Sequence, residues 1–242
     1  MLWHRGSALS DQPAAQAPER ADALAVMAVQ PVQSGMLVGL GAGRTAARGI
    51  RALAERVHRE NLKIQCVAAS ERSDRDARAL GLDVVDFGVI ESIDLLIDGA
   101  DEVDRSMRMM KGSRGAMTRE RILCWAARRT VFMVTADKVA EQQIGARCPL
   151  PVAVMAYGLA STRCALRHIG LNGVLRRDMN GGMFLTDNAN LVLDATLSGD
   201  EDLVELYDEL NSIPGVVDHG LFLDEADEIL IEQDGAIERL TR

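Results

Sequence analysis

The run Ile93-Asp94-Leu95-Leu96-Ile97 reads as a buried strand, and it stops on Asp98-Gly99-Ala100-Asp101-Glu102. Clustered carboxylates repel one another, and each must be solvated or paired. A buried strand therefore does not usually end on three acids unless a site uses them. A lysine, Lys111, follows in a glycine-containing loop, and Glu120 falls in the first turn of a predicted helix. Taken singly, each acid reads better as part of a polar loop or a helix cap. Taken together, the acid cluster, the ammonium group and the further carboxylate predict a proton-transfer site.

The segments around this stretch set the fold class. A first helix is expected over Glu19–Val29, ended by Pro31, and a strand over Met36–Leu40. Gly39-Leu40-Gly41-Ala42-Gly43-Arg44-Thr45 then runs into a helix whose Ala46, Ile50, Leu53 and Val57 recur at helical spacing. Strand, glycine turn and helix in that order point free N–H groups and a positive helix end at an anion. A strand over Leu62–Val67 leads through Ala68-Ala69-Ser70 into a helix ending at Leu80-Gly81. A short strand at Val84–Phe87, the acid-tipped strand, a helix over Met117–Ala127 and a strand over Thr130–Val134 follow. Such alternation predicts an α/β fold with a doubly wound, mostly parallel sheet, in which ligands sit beyond the carboxyl ends of the strands. The glycine turn, the Ser70 segment and the acid cluster all fall there.

The pattern changes at Cys148-Pro149-Leu150-Pro151. Strand Val152–Met155, helix Ala160–Ile169, strands Gly173–Asp178 and Met183–Thr186 about an Asn180-Gly181 hairpin, strand Leu191–Ala195, helix Asp202–Ser212 and strand Gly215–Phe222 give an order close to β-α-β-β-α-β. That is a smaller ferredoxin-like α+β unit. Glu228–Glu232 and Ala236–Leu240 are expected to rejoin the first sheet. The domains so defined are a disordered extension at 1–19, a Rossmann-like catalytic domain at 20–147 plus 223–242, and a ferredoxin-like domain at 148–222.

A formal charge of −9 argues against a nucleic-acid binder, which needs a basic face. Cys66 and Cys124 lie in apolar surroundings and read as reduced core thiols. No cysteine pair has metal-ligand spacing, and residues 1–19 lack the apolar region of a signal peptide, so a cytoplasmic protein is expected. The apolar runs are too short to span a membrane. His4, His58, His168 and His219 read as surface or structural, Trp125 as helix packing, and Asp224–Glu228 as a solvated loop.

From about Val32 onward the chain resembles the type A ribose-5-phosphate isomerases. The resemblance rests on Val38-Gly39-Leu40-Gly41-Ala42-Gly43-Arg44-Thr45, Asp98-Gly99-Ala100-Asp101-Glu102, Met110-Lys111-Gly112 and Thr118-Arg119-Glu120. Pro149-Leu150-Pro151-Val152, Thr186-Asp187-Asn188-Ala189-Asn190, Ile213-Pro214-Gly215-Val216-Val217 and Gly220-Leu221-Phe222 extend it. It implies a cofactor-free, metal-independent interconversion of ribose 5-phosphate and ribulose 5-phosphate through an enediolate. It further implies Glu120 as the base, Lys111 and the N–H groups of Gly112 and its neighbours as stabilisers of negative charge, and Asp98 and Asp101 as handlers of hydroxyl protons. Gly41, Gly43, Thr45, Ser70 and Lys138 would contact the substrate, and the protein would be a homodimer.

The chain also departs from the family pattern. Gly41-Ala42-Gly43-Arg44-Thr45 stands where G-T-G-S-T is usual, and Lys111-Gly112-Ser113-Arg114-Gly115 where K-G-G-G-A is usual. Either Arg44 and Arg114 supply bidentate phosphate contacts in place of the lost groups, or the chain takes another sugar phosphate. A non-catalytic sugar-phosphate-binding module is a third reading. A dinucleotide-dependent oxidoreductase is a fourth: Gly41–Ala46 fits G-x-G-x-x-A, but the second strand ends without an acid placed for a ribose hydroxyl.

Overall fold

Parallel strands buried on both faces need continuous apolar runs and long crossovers, and the first half of the chain supplies both. The computed structural model describes residues 22–242. The expected extension at 1–19 and the start of the first helix lie outside the described residues. In chain order the elements begin with α1 (Ala23–Val29), β1 (Leu37–Leu40), α2 (Gly43–Glu60), β2 (Gln65–Ala68), α3 (Glu71–Ala79) and β3 (Leu95–Gly99). The two-residue strands β4 (Glu102–Val103) and β5 (Met109–Met110) follow, then α4 (Met117–Ala126) and β6 (Thr130–Thr135). The second unit contains β7 (Leu150–Val154), α5 (Leu159–His168), β8 (Gly173–Leu175), β9 (Leu191–Ala195), α6 (Leu203–Ser212) and β10 (Val216–His219). The chain closes with β11 (Leu221–Phe222), β12 (Glu228–Gln233) and β13 (Ala236–Thr241).

Six strands form one sheet in the order β13-β12-β6-β3-β1-β2, all parallel except the edge strand β13. Every residue of β3 is buried, which is why that strand reads as an unbroken apolar run up to Asp98. One face packs on α1 and α2 through Leu24, Ala28, Ile50 and Leu53. The other packs on Met117 and Leu123 of α4 and on Ala153 and Val192 of the second unit. After β2 the chain crosses to the other side of β1 to form β3, so the order reverses between β1 and β3. Ligands in such sheets bind outside the strand ends at that reversal.

The second sheet is antiparallel in the order β10-β7-β9-β8, the arrangement of a ferredoxin-like unit, with Leu166 of α5 and Leu206 and Leu210 of α6 in its core. A third, three-stranded sheet, β11-β5-β4, joins the two and carries Lys111 directly after β5.

Five features differ from expectation. Val84–Phe87 makes only a single bridge, Val84 to Cys66, because the Asp86 carboxylate accepts the Gly88 N–H at 2.9 Å and turns the chain into a 3₁₀ turn. Met183–Thr186 is held only by isolated bridges, and Thr186 Oγ1 accepts the N–H groups of Asn188 and Asn190, bending the segment away from a strand. The expected strand Gly215–Phe222 breaks at Gly220 between two sheets. Its N–H donates to Pro151 O at 2.8 Å and its carbonyl accepts the Lys111 N–H at 2.9 Å. Any Cβ there would meet Lys111 O at 2.3 Å. Trp125 does not pack: it is 94% exposed on the outer face of α4. In the expected solvated loop, Glu228 is instead buried between Arg129 and Arg239.

Candidate active site

At the end of β1 the Gly41 N–H donates to Ile97 O at 2.9 Å. A Cβ on Gly41 would sit 1.9 Å from Asp98 Oδ1, so only glycine lets the turn close over that carboxylate. Asp98 Oδ1 accepts the N–H groups of Ala42 (3.1 Å) and Gly99 (2.7 Å). Gly43 adopts φ +93°, and α2 starts there without a side-chain cap. The first turn of this 18-residue helix therefore keeps unsatisfied N–H groups and the positive end of its dipole.

Lys111 is 2% exposed. Its Nζ donates to Asp98 Oδ2 at 2.8 Å and to Gly99 O at 2.5 Å, and it pairs with Glu120 Oε1 at 3.2 Å. The rings of Phe132 and Phe222 lie 5.3 and 5.6 Å away, so the charge is held by carboxylates and aromatic faces rather than water. Burial opposes the lysine's charge, but Asp98 and Glu120 outweigh it and raise the ammonium pKa. Glu120 is buried in the first turn of α4, and its Oε2 has no donor among the described residues. Burial pushes the Glu120 carboxyl up to about 8: Lys111 pulls it down, while Asp98 and Asp101 add repulsion.

Asp101 accepts the Ser113 N–H at 2.8 Å and the Ser113 hydroxyl at 2.5 Å, tying the acid cluster to the lysine loop. Lys138 Nζ donates to Ala100 O (2.6 Å) and Thr45 Oγ1 (3.1 Å). Burial lowers the Lys138 pKa, with Lys111 and Arg44 adding repulsion against the attraction of Asp101 and Asp137.

These groups border one cavity of about 390 Å³, walled by Gly43, Arg44, Thr45, Asp101, Lys111, Gly112, Ser113, Arg114, Glu120 and Lys138 among others. A second cavity of about 410 Å³ shares Gly43, Arg44 and Arg114 with it and adds Ser70 and Arg51. Two expected residues stand elsewhere. Gly41 and Asp98 line neither cavity, and Asp98 is fully buried with both oxygens engaged. In this structure the Asp98 carboxylate holds Lys111 and the glycine turn from behind. Ser70 caps α3, its Oγ accepting the Ser73 N–H at 3.0 Å.

The family model for ribose 5-phosphate isomerase A (phosphoriboisomerase A) matches residues 65–235. The chain belongs to the ribose 5-phosphate isomerase A family. A ribose-5-phosphate isomerase A of Thermomicrobium roseum is 40% identical over 228 residues, 94% of each chain. That of Gluconobacter oxydans is 41% identical over 213 residues, 87% of this chain and 91% of the relative. Among solved structures, ribose 5-phosphate isomerase A from Methanocaldococcus jannaschii superposes with a TM-score of 0.85 at 31% identity, covering 90% of this chain and 96% of its own. A D-ribose-5-phosphate isomerase in complex with phospho-erythronic acid superposes at 0.86 with 29% identity and the same coverage.

In this member of the isomerase A family the two departures, Arg44 and Arg114, are exposed and make no ion pair among the described residues. Both border the two cavities. Asp137, Arg147 and Cys148 also wall the inner cavity and were not read from sequence as site residues. Their only signal is proximity to Lys138 and to the Cys148-Pro149-Leu150-Pro151 boundary. The third acid of the cluster, Glu102, faces away: its Oε2 accepts the Gly145 N–H at 2.8 Å and holds the loop that carries Arg147 and Cys148. Among the described residues no cluster of His, Cys, Asp and Glu is arranged to hold a metal, and no helix is long and apolar enough to cross a membrane.

Proposed function

We propose that the chain interconverts ribose 5-phosphate and ribulose 5-phosphate by proton transfer through an enediolate, with Glu120 as the base. The observation that carries this reading is the buried Glu120 carboxyl, one oxygen free and its pKa near 8, set 3.2 Å from a buried ammonium at the wall of the cavity. A carboxyl with a pKa close to ambient pH is a stronger base than an ordinary one yet is still partly ionised. Family membership, at 40% identity over nearly the whole chain, points to the same activity.

The step balances as follows. Glu120 Oε2 removes the C2 proton of the open-chain aldose, and the C–H electron pair becomes the C1–C2 double bond as negative charge moves onto O1. Neutralised Glu120 then holds Lys111 less strongly. The ammonium turns to the new oxyanion, and its buried charge keeps a partner throughout. Asp101, which borders the cavity, exchanges the hydroxyl proton between O2 and O1 and assists opening of the furanose. Glu120 returns its proton to C1 to give the ketose. Asp98 acts only through Lys111. The phosphate lies at the N-terminus of α2, among its free N–H groups, Arg44, Arg114, Thr45 and Lys138.

The direct test is conversion of ribose 5-phosphate by the purified protein in heavy water. Solvent deuterium at C1 of the ribulose 5-phosphate is the expected mark of a Glu120 proton that exchanges before its return, and no conversion of ribose 5-phosphate at all would remove the reading. Because kcat/KM reports ionisation in the free enzyme, its acid limb should fall about tenfold per pH unit below the Glu120 pKa of about 8. A rate constant flat from pH 6 to 9 would contradict that assignment.

Arg44→Ser and Arg114→Gly should each raise KM for ribose 5-phosphate by about 10- to 100-fold with little change in kcat, the worth of a charge-assisted hydrogen bond to a phosphate. An increase in kcat/KM would show instead that the arginines direct the site to another sugar phosphate. The same reading carries a homodimer, a cytoplasmic location and a division into folding units at 20–147 plus 223–242 and 148–222. The separate apolar core of the second unit supports the division.

A further inference from the structure

One guanidinium from the second sheet grips the loop that follows Lys111. Arg176, just beyond β8, pairs with Asp194 of β9 through Nε (2.9 Å) and Nη2 (2.5 Å). Its remaining nitrogen, Nη1, donates to Gly112 O at 2.9 Å and Ser113 O at 3.1 Å. The side chains are 13% and 23% exposed, and the guanidinium lies 5.4 Å from the Phe184 ring centre. That ring presses on Gly115, where a Cβ would come within 2.5 Å of it. Arg176 and Asp194 sit diagonally across the β8–β9 ladder, so the ladder itself aims the fork.

The two gripped carbonyls belong to successive peptides. A trans peptide directs its N–H opposite to its C=O, so holding the oxygens of Gly112 and Ser113 fixes the direction of the Ser113 and Arg114 N–H groups. Ser113 N–H reaches Asp101 at 2.8 Å. The N–H groups of Gly112 and Arg114 have no acceptor among the described residues, and both residues wall the cavity. Gly112 adopts φ +101°. A glycine-flanked peptide rotates easily unless something restrains it; Asp101 and the Gly115 N–H also hold the Gly112–Ser113 peptide, and Arg176 adds the restraint on the Ser113–Arg114 peptide.

We propose that Arg176, anchored by Asp194, is a positioning residue for the reaction: it holds the 112–115 loop so that the free Arg114 N–H receives the negative charge that develops on the substrate oxygen. This rests on the isomerase reading above. Donors that act on developing charge matter more in the transition state than in the ground state. Their disorder therefore lowers kcat while the phosphate contacts at α2 preserve KM.

The test is Arg176→Met, which keeps the apolar stem and removes the donors. The expected result is a kcat lower by about 10- to 100-fold, less than the roughly 10²- to 10³-fold for outright loss of an oxyanion donor because the donor is misaligned rather than removed, with KM changed less than about threefold. Arg176→Lys should recover part of kcat. If Arg176 only joins the two sheets, the methionine variant will melt earlier yet keep wild-type kcat well below its melting temperature, and the proposal is overturned. Should that variant fail to fold, Asp194→Asn decides: the guanidinium stays but loses its anchor, and a lower kcat at constant KM supports the role while an unchanged kcat ends it. A wild-type protein inactive on ribose 5-phosphate would sink the function and not this restraint. Amide hydrogen exchange at 112–115 then decides: faster exchange in the folded variant supports the restraint, and unchanged exchange overturns it.

Discussion

Glu120→Gln folds and loses nearly all turnover of ribose 5-phosphate, by at least about 10³-fold, toward the upper end of what a positioned general base contributes. The amide matches the carboxylate in shape and can still accept from Lys111, so the geometry survives while the base is gone. Substrate binding should persist, because the phosphate contacts lie on α2 and the lysines. Steady-state kinetics with a binding measurement on the variant separates the two effects; more than about one part in a hundred of wild-type kcat would assign the base elsewhere. A stability difference accompanies the kinetic one. The Glu120 carboxyl is raised from an ordinary 4.5 to about 8 in the folded chain. Its contribution to stability is fully present below pH 4.5 and is lost as pH rises through 8. Glutamine does not titrate, so denaturant unfolding at pH 5 and pH 9 should shift in favour of the variant at the higher pH.

Lys111→Met should harm both fold and function. Removing the ammonium leaves Asp98, fully buried, and Glu120, 4% exposed, as unpaired acids around Phe132 and Phe222. Breaking a buried ion cluster from one side costs about 3–5 kcal/mol, which in a chain of this size lowers the melting temperature by roughly 6–20 °C. At temperatures where the variant is folded, kcat should fall by about 10²–10³-fold through loss of charge stabilisation at the enediolate. Thermal melts and kinetics on the same preparation test both. A variant that melts like the wild type would mean that the Lys111 ammonium does not stabilise this buried cluster in the folded protein.

Much of this was legible in the residues. Continuous apolar runs alternating with helical periodicity gave the parallel sheet. The acid-tipped strand, the glycine turn and Thr118-Arg119-Glu120 gave the chemical groups, since strand ends and helix starts are local features and residue type fixes what each group can do. Depth was less legible. The pattern that puts Trp125 on a helix does not reveal that no element among the described residues covers its face, where the residue is 94% exposed. The run Gly215–Phe222 reads as one strand because nothing local announces that its Gly220 must touch Lys111 and Pro151.

The sequence by itself determined the inventory of the site: a cluster of carboxylates, two lysines, a glycine-turn anion site and two unusual arginines. Only the tertiary structure decided how those groups divide the work. Asp98 and Asp101 stand three positions apart in one motif, yet one lies behind Lys111 and the other faces the cavity. Arg176 carries no motif, but the β8–β9 ladder brings it onto a loop more than 60 positions earlier in the chain. Such contacts follow from how two sheets pack against each other, and no short-range pattern encodes a distance set by packing.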